Sequence, residues 1–171
     1  SYPLEAVWRG VGNVTIDAKA DTELPSVPGV TVWIEPQEPR HPLTGILHAL
    51  GLAEGRPVVV CASDMPLVSP ELIGRIARVD PGAAPAVVAS WKGEIQPLLG
   101  CYQPSALVPL NAAAGDPAVR LRAAVDALNP VPYELEDPDS LFNVNSPDEL
   151  LQAAWMLERR RAGRAEGRDR R

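Results

Sequence analysis

The chain has 171 residues, a formal net charge of −6 and an apolar share of 46%. This length fits one domain with a sizeable core, and no apolar run is long enough to span a bilayer. Seven of the sixteen basic residues follow Leu157, so residues 1–157 carry nine basic and nineteen acidic groups, and an acidic body argues against general nucleic-acid binding.

Taken in order, Tyr2 to Arg9 reads as a helix at the very start of the sequence. Arg9-Gly10-Val11-Gly12-Asn13 has the glycines of a phosphate loop in the wrong order, because it follows a helix and precedes a strand. Gly10 or Gly12 is therefore expected to stop the helix. Val14-Thr15-Ile16 is a short strand, with Asp17, Ala18 and Lys19 at its carboxyl end. Val30 to Ile34 is the next strand and ends at Glu35. The three prolines between Pro36 and Pro42 mark a loop. Leu43, Ile46, Leu47 and Leu50 then recur at helical spacing, after Pro42 and before Gly51.

Val58-Val59-Val60-Cys61 is a β-branched run of the kind buried on both faces of a parallel sheet. It leads through Ala62 and Ser63 to Asp64, and Pro66 stops regular structure. Ser69-Pro70-Glu71 opens a helix with a cap and a proline at the first helical position. An acid at the carboxyl end of a central parallel strand lies where open α/β sheets bind ligands. The simpler role for Asp64, capping the next helix, is already filled by Ser69.

Pro85 to Ala89 is a further buried strand, Trp91 to Glu94 a hairpin turn, and Ile95 to Tyr102 its returning strand, with Gln96 and Pro97 near its start. Pro104–Leu110 and Ala118–Leu128 read as helices, and Val131–Leu135 as a strand weakened by Pro132. Phe142 to Asn145 is extended, so Asn143 and Asn145 point the same way. They suit either a polar ligand or hard cation, or an Asx turn before the next helix. Ser146-Pro147-Asp148-Glu149 is a strong helix start.

Alternating strands and helices at this spacing predict an α/β fold, a mostly parallel sheet with helices on both faces. Residues 1–157 form the predicted domain, and the Arg-rich residues 158–171 a frayed tail. Cys61 and Cys101 have neither C-x-x-C spacing nor a nearby His, so reduced thiols in a cytoplasmic protein are expected.

Four segments together resemble the molybdenum cofactor guanylyltransferase family of nucleotidyltransferases. They are His41-Pro42-Leu43-Thr44-Gly45-Ile46, Ser63-Asp64-Met65-Pro66-Leu67-Val68, Gln96-Pro97-Leu98 with Tyr102, and Phe142-Asn143-Val144-Asn145-Ser146-Pro147-Asp148-Glu149-Leu150. The resemblance spans about residues 1–157. The Asp-Met-Pro segment is common to many relatives, and the Asn-Val-Asn-Ser-Pro ending discriminates more sharply. The resemblance implies a Rossmann-like nucleotidyltransferase. It implies transfer of GMP from GTP to the molybdenum-bearing molybdopterin cofactor, with release of pyrophosphate and with Mg2+ as metal. Asp64 takes the catalytic and metal role, with Asn145 as second metal contact. Pro42, Leu43, Gly45, Glu35 and Lys19 join Asp64 at the nucleotide. Gln96, Pro97, Asn143 and Asn145 face the pterin. The implied partners are the two small molecules, with transient molybdoenzyme or cofactor-delivery proteins, and neither nucleic acid nor membrane.

The chain departs from the family pattern twice. His41 stands where the family has glycine, and nothing matches the family's opening strand and Gly-rich phosphate loop, which leads to the expectation of a domain without its first strand. Competing expectations are a cytidylyltransferase or other NTP transferase, and a non-catalytic remnant that binds cofactor or partner.

Overall fold

The structure, a computed structural model, describes residues 2–116 and 118–168. Helix α1 (Tyr2–Val11) is followed by two short strands, β1 (Thr15–Ala18) and β2 (Thr31–Ile34). These pair in parallel, with Asp17 beside Trp33 and Ala18 beside Ile34. Helix α2 (Pro42–Leu52), β3 (Val58–Cys61) and α3 (Pro70–Arg78) come next. Then follow β4 (Ala86–Trp91), β5 (Glu94–Tyr102), α4 (Leu107–Ala113), α5 (Leu121–Asp126), β6 (Val131–Glu134) and α6 (Pro147–Arg168). The four later strands form one sheet in the order β3-β5-β4-β6.

Strand β4 organises this sheet. Its side chains alternate between two apolar layers, as side chains on a strand must. Ala86 and Val88 face Leu43, Ile46 and Leu50 of α2 and Leu110, Val125 and Leu128 from the α4–α5 region. Val87 and Ala89 face Ala6 of α1 and Ile73 and Ile76 of α3. Helices thus cover both faces, as an α/β fold requires, and no residue from Ala86 to Ala89 retains measurable exposure.

The sheet is mixed, and this corrects the expectation for the central run. β4 pairs with β6 in parallel, but β3 pairs only with β5, and antiparallel. β3 is therefore an edge strand of its sheet and half-buried along its length, where burial on both faces was expected. The cause is long-range. The β4–β5 hairpin turns at Lys92 and Gly93, both at positive φ as a two-residue hairpin demands, and the returning strand meets β3 head to tail.

Pro97 sits inside β5 because the ladder is broken there. Val88 pairs with Gly100 and Ser90 with Ile95, so four residues of β5 oppose one of β4. A proline without an N–H fits such a bulge. Pro132 is tolerated because β6 is an edge strand.

Two glycines have separate roles that composition alone could not distinguish. Gly12, at φ +87, ends α1, and its N–H bonds Trp8 O at 2.8 Å. Gly10 lies within α1, where a Cβ would come within 2.6 Å of Ile73 Cγ2, so it sets the approach of α1 to α3. The helix expected over 118–128 is shorter, because Ala118 N–H bonds the Asp116 carboxylate and Arg120 is extended. The Arg-rich segment is helical through Arg168, and 169–171 lie outside the described residues. No helix among the described residues is long and apolar enough to cross a membrane.

A Cβ at Gly100 would lie 2.7 Å from Val87 O, a backbone atom that cannot swing away. Gly100→Ala is expected to cost about 1–3 kcal/mol, as overpacking of a tight core does, read as a lowered urea midpoint with unchanged slope.

Candidate active site

Asp64 follows β3 and Ala62-Ser63. The main chain there is held from two sides. Ala62 N–H bonds Leu98 O at 2.9 Å, which carries the β3–β5 ladder one residue past Cys61. Val144 N–H bonds Asp64 O at 2.8 Å, which docks the Asn143–Asn145 segment on the same turn. Ser69 caps α3 by accepting from Leu72 N–H, so Asp64 is free of that duty, as its spacing predicts. Its Oδ1 is buried and has no hydrogen-bond partner. A buried carboxylate oxygen without a donor is costly unless something else supplies positive charge or a proton.

The Asn segment is built rigidly. Ser146 caps α6 by accepting from Glu149 N–H at 3.2 Å, and Glu149 reaches back to Asn145 N–H at 2.7 Å. This is a reciprocal capping arrangement that fixes the chain before the helix. Val144 is half-buried between two exposed asparagines, so Asn143 and Asn145 share the outer side.

A second cluster lies at the ends of β1 and β2 against α2. His41, the residue in place of the family's glycine, caps α2 through its ring, with Nδ1 accepting from Leu43 N–H at 3.1 Å. Leu43 is buried in the core, whereas Lys19, Glu35, Arg40, His41, Pro42 and Gly45 line a pocket of about 270 Å³. Lys19 is not a free cation. It lies 3.6 Å from Glu35 Oε1, donates to the carbonyls of Pro36 and Pro39, and is only 13% exposed. Lys19 thus ties the proline-rich loop to the strand ends. Arg40 is paired with Asp21, which holds that carboxyl below its ordinary range.

Sequence reasoning passed over two members of this cluster. Asp17 Oδ1 lies 2.8 Å from His48 Nδ1, and Asp17 Oδ2 is buried without a partner. Burial raises the Asp17 carboxyl above its ordinary value, against the opposing pull of the His48 hydrogen bond. Thirty-one residues separate the pair. The one available signal was an acid at the end of a predicted strand, the same signal that singled out Asp64.

The two cysteines are free thiols. Burial, and then the charge of Asp64, push the Cys61 thiol up to about 12, which leaves it inert as a nucleophile. The larger cavity, about 460 Å³, lies between α3, β6 and α6 and is lined by none of the predicted site residues. Its cations are engaged: Arg160 bonds Leu67 O and Asp137, and Arg75 pairs with Glu136.

The α/β sheet thus carries an acid beyond the end of β3, with the Asn143–Asn145 segment docked on its turn. Among solved structures the chain is similar to 2-C-methyl-D-erythritol 4-phosphate cytidylyltransferase from Thermus thermophilus, with a TM-score of 0.63 over 88% of this chain and 84% of that one. At 19% identity that likeness shows the fold alone. Residues 4–131 match the model of the MobA-like NTP transferase domain, and the chain belongs to that family.

Among curated proteins it is 35% identical over 118 residues to a "Probable molybdenum cofactor guanylyltransferase" from Chloroflexus aggregans, covering 63% of this chain and 56% of that one. It is 33% identical over 114 residues to a protein of the same description from Mycobacterium avium, covering 66% and 58%. The matches thus span somewhat over half the length of these relatives. The structure of molybdopterin-guanine dinucleotide biosynthesis protein A from Archaeoglobus fulgidus is similar at a TM-score of 0.60 and 25% identity, over 76% of this chain and 69% of that one.

The raised Asp17 carboxyl sets a pH dependence of known sign. Well below the ordinary 3.8, folded and unfolded chains both hold the proton; above the raised folded value both have lost it, and the folded chain alone bears the buried charge. Asp17 therefore lowers stability as pH rises through that interval. Asp17→Asn is expected to raise the melting temperature at pH 7, with the gain vanishing as pH falls below the carboxylate range.

Proposed function

We propose that this chain is the core of a guanylyltransferase that moves GMP from GTP to the molybdenum-bearing pterin cofactor. An oxygen of the pterin's terminal phosphate forms a bond to the α-phosphorus of GTP, the bond from that phosphorus to the bridging oxygen breaks, and pyrophosphate leaves. The observation that carries the reading is the buried, unpartnered Oδ1 of Asp64, at a turn clamped by Val144 on one side and Leu98 on the other. Family membership supports the nucleotidyltransferase class, and the names of the relatives support the pterin acceptor.

The residues fit a magnesium ion. Asp64 offers a free carboxylate oxygen, and the Asn145 amide stands on the outer side of the docked segment. Magnesium takes one or two carboxylates and fills its other positions with water and phosphate oxygens. Bound there, it would neutralise charge on the triphosphate. In this reading Pro42 and Gly45 form the floor under the nucleotide, with Leu43 supporting them from the core, and the absence of a side chain at Gly45 lets a ring approach the backbone. Lys19 holds the loop over it and orients Glu35. Gln96 and Pro97, next along β5 from the Leu98 that bonds Ala62, face the acceptor together with Asn143 and Asn145.

Asp64→Asn keeps the shape and removes the charge, and is expected to cut guanylyl transfer by on the order of 10²–10³ with no loss of melting temperature. The measurement is pyrophosphate release from GTP and pterin cofactor; turnover within tenfold of the parent would remove Asp64 from the site. Asn145→Ala is expected to weaken transfer at an unchanged urea midpoint. A lower midpoint with normal nucleotide and pterin affinity would make the pair a turn and nothing more.

A further inference from the structure

Tyr102 closes β5, and its side chain is fully buried in the apolar layer that also holds Leu43, Ile46 and Leu110. A phenol in such a place needs a partner for its hydroxyl, whereas a phenylalanine there would need none. Burial pushes the phenol above its ordinary range, so the hydroxyl keeps its proton and donates. Its bond runs to Pro97 O at 2.6 Å, five residues back along the same strand. Pro97 lies inside the bulge, where Gln96, Pro97, Leu98 and Leu99 stand opposite Ala89 alone.

The bulge is thus held at two consecutive carbonyls. Pro97 O receives the Tyr102 hydroxyl, and Leu98 O receives Ala62 N–H at 2.9 Å. A peptide unit is planar, so fixing its carbonyl fixes the whole plane. The ring of Pro97 fixes φ at that residue as well. Gln96, half-buried, is joined directly to this restrained pair, which sets the direction it takes.

We propose that Tyr102 is a positioning residue for the acceptor: its hydroxyl, through Pro97, holds Gln96 toward the pterin. This rests on the guanylyltransferase reading above, in which Gln96 and Pro97 face the acceptor. A bulge aims side chains away from the directions that a regular ladder would give them, and the aim is only as firm as the bulge. Without the hydroxyl, the Pro97 carbonyl loses its donor from the core. The plane between Pro97 and Leu98 can then turn, and Gln96 shifts with it. The nucleotide side keeps its shape, because Tyr102→Phe leaves the ring in the layer it shares with Leu43.

The test is steady-state guanylyl transfer by the full chain, read as pyrophosphate release, with GTP and pterin cofactor varied in turn. Tyr102→Phe is expected to raise KM for the pterin by about three- to tenfold, the range of one hydrogen bond, with KM for GTP unchanged. Gln96→Ala is expected to raise the same KM. The double variant is expected to match Gln96→Ala alone, because a residue that acts through another adds nothing once that other is gone.

A lowered urea midpoint with both KM values unchanged in Tyr102→Phe overturns the inference, since Tyr102 then serves the core and nothing else. So does an equal rise in both KM values, a double variant whose effects multiply, or a pterin KM untouched by Gln96→Ala. In those cases transfer that still depends on Asp64 leaves the proposed function standing. Absence of transfer to the pterin by the wild type overturns both.

Discussion

The constraint on which the structure depends is that β4 must bury both of its faces. Ala86 to Ala89 supply side chains alternately to two cores, and each core is completed by helices distant in sequence. α2 closes one side, and α1 with α3 the other. A strand with this duty carries nothing polar in its middle, and it meets the first polar group only at Ser90, whose hydroxyl donates to Glu134 on β6. Functional groups are therefore displaced to strand ends and to the loops beyond them, where the backbone can be bent without opening the core.

The candidate site occupies two such places. One half is the turn after β3, held by β5 and by the segment before α6. The other is the cluster at the ends of β1 and β2, held by α2, which also contacts β3. Both halves contain a buried carboxylate oxygen without a partner, Asp17 Oδ2 and Asp64 Oδ1. A folded protein bears such a cost where a ligand relieves it. The cationic side chains nearby are spent on structure: Lys19 and Arg40 tie down loops, and Arg160 ties α6 to Leu67. The unmet demand at these two oxygens is thus for donors or positive charge from outside.

Much of this was legible in the sequence because it is local. The caps at Ser69 and Ser146, the hairpin at Lys92-Gly93 and the acid after the valine run follow from the chemistry of a few neighbouring residues. What stayed illegible is set by partners far along the chain. A β-branched run reads the same whether its neighbour is parallel or antiparallel, so Val58–Cys61 reads as a central parallel strand, whereas β3 is an antiparallel edge. Gly10 reads as a helix stop until Ile73 is brought against it. Lys19 reads as a free cation until the proline-rich loop folds over it. Asp17 carries no motif, and its pairing with His48 appears only when α2 packs on β1. His41, which stands where the family has glycine, caps the helix through its ring.

The bond from Val144 to Asp64 also bears on the order in which the molecule is made. It joins positions roughly 80 residues apart, a long loop whose closure entropy must be met by contacts formed late. Synthesis runs from the amino end, so the β-strand that carries Asp64 leaves the ribosome well before the residues that clamp it. The family domain match itself ends at residue 131, ahead of that clamp. A nascent chain can therefore pair β3 with β5 through Ala62 and Leu98 while the second restraint on the Asp64 turn is still to come.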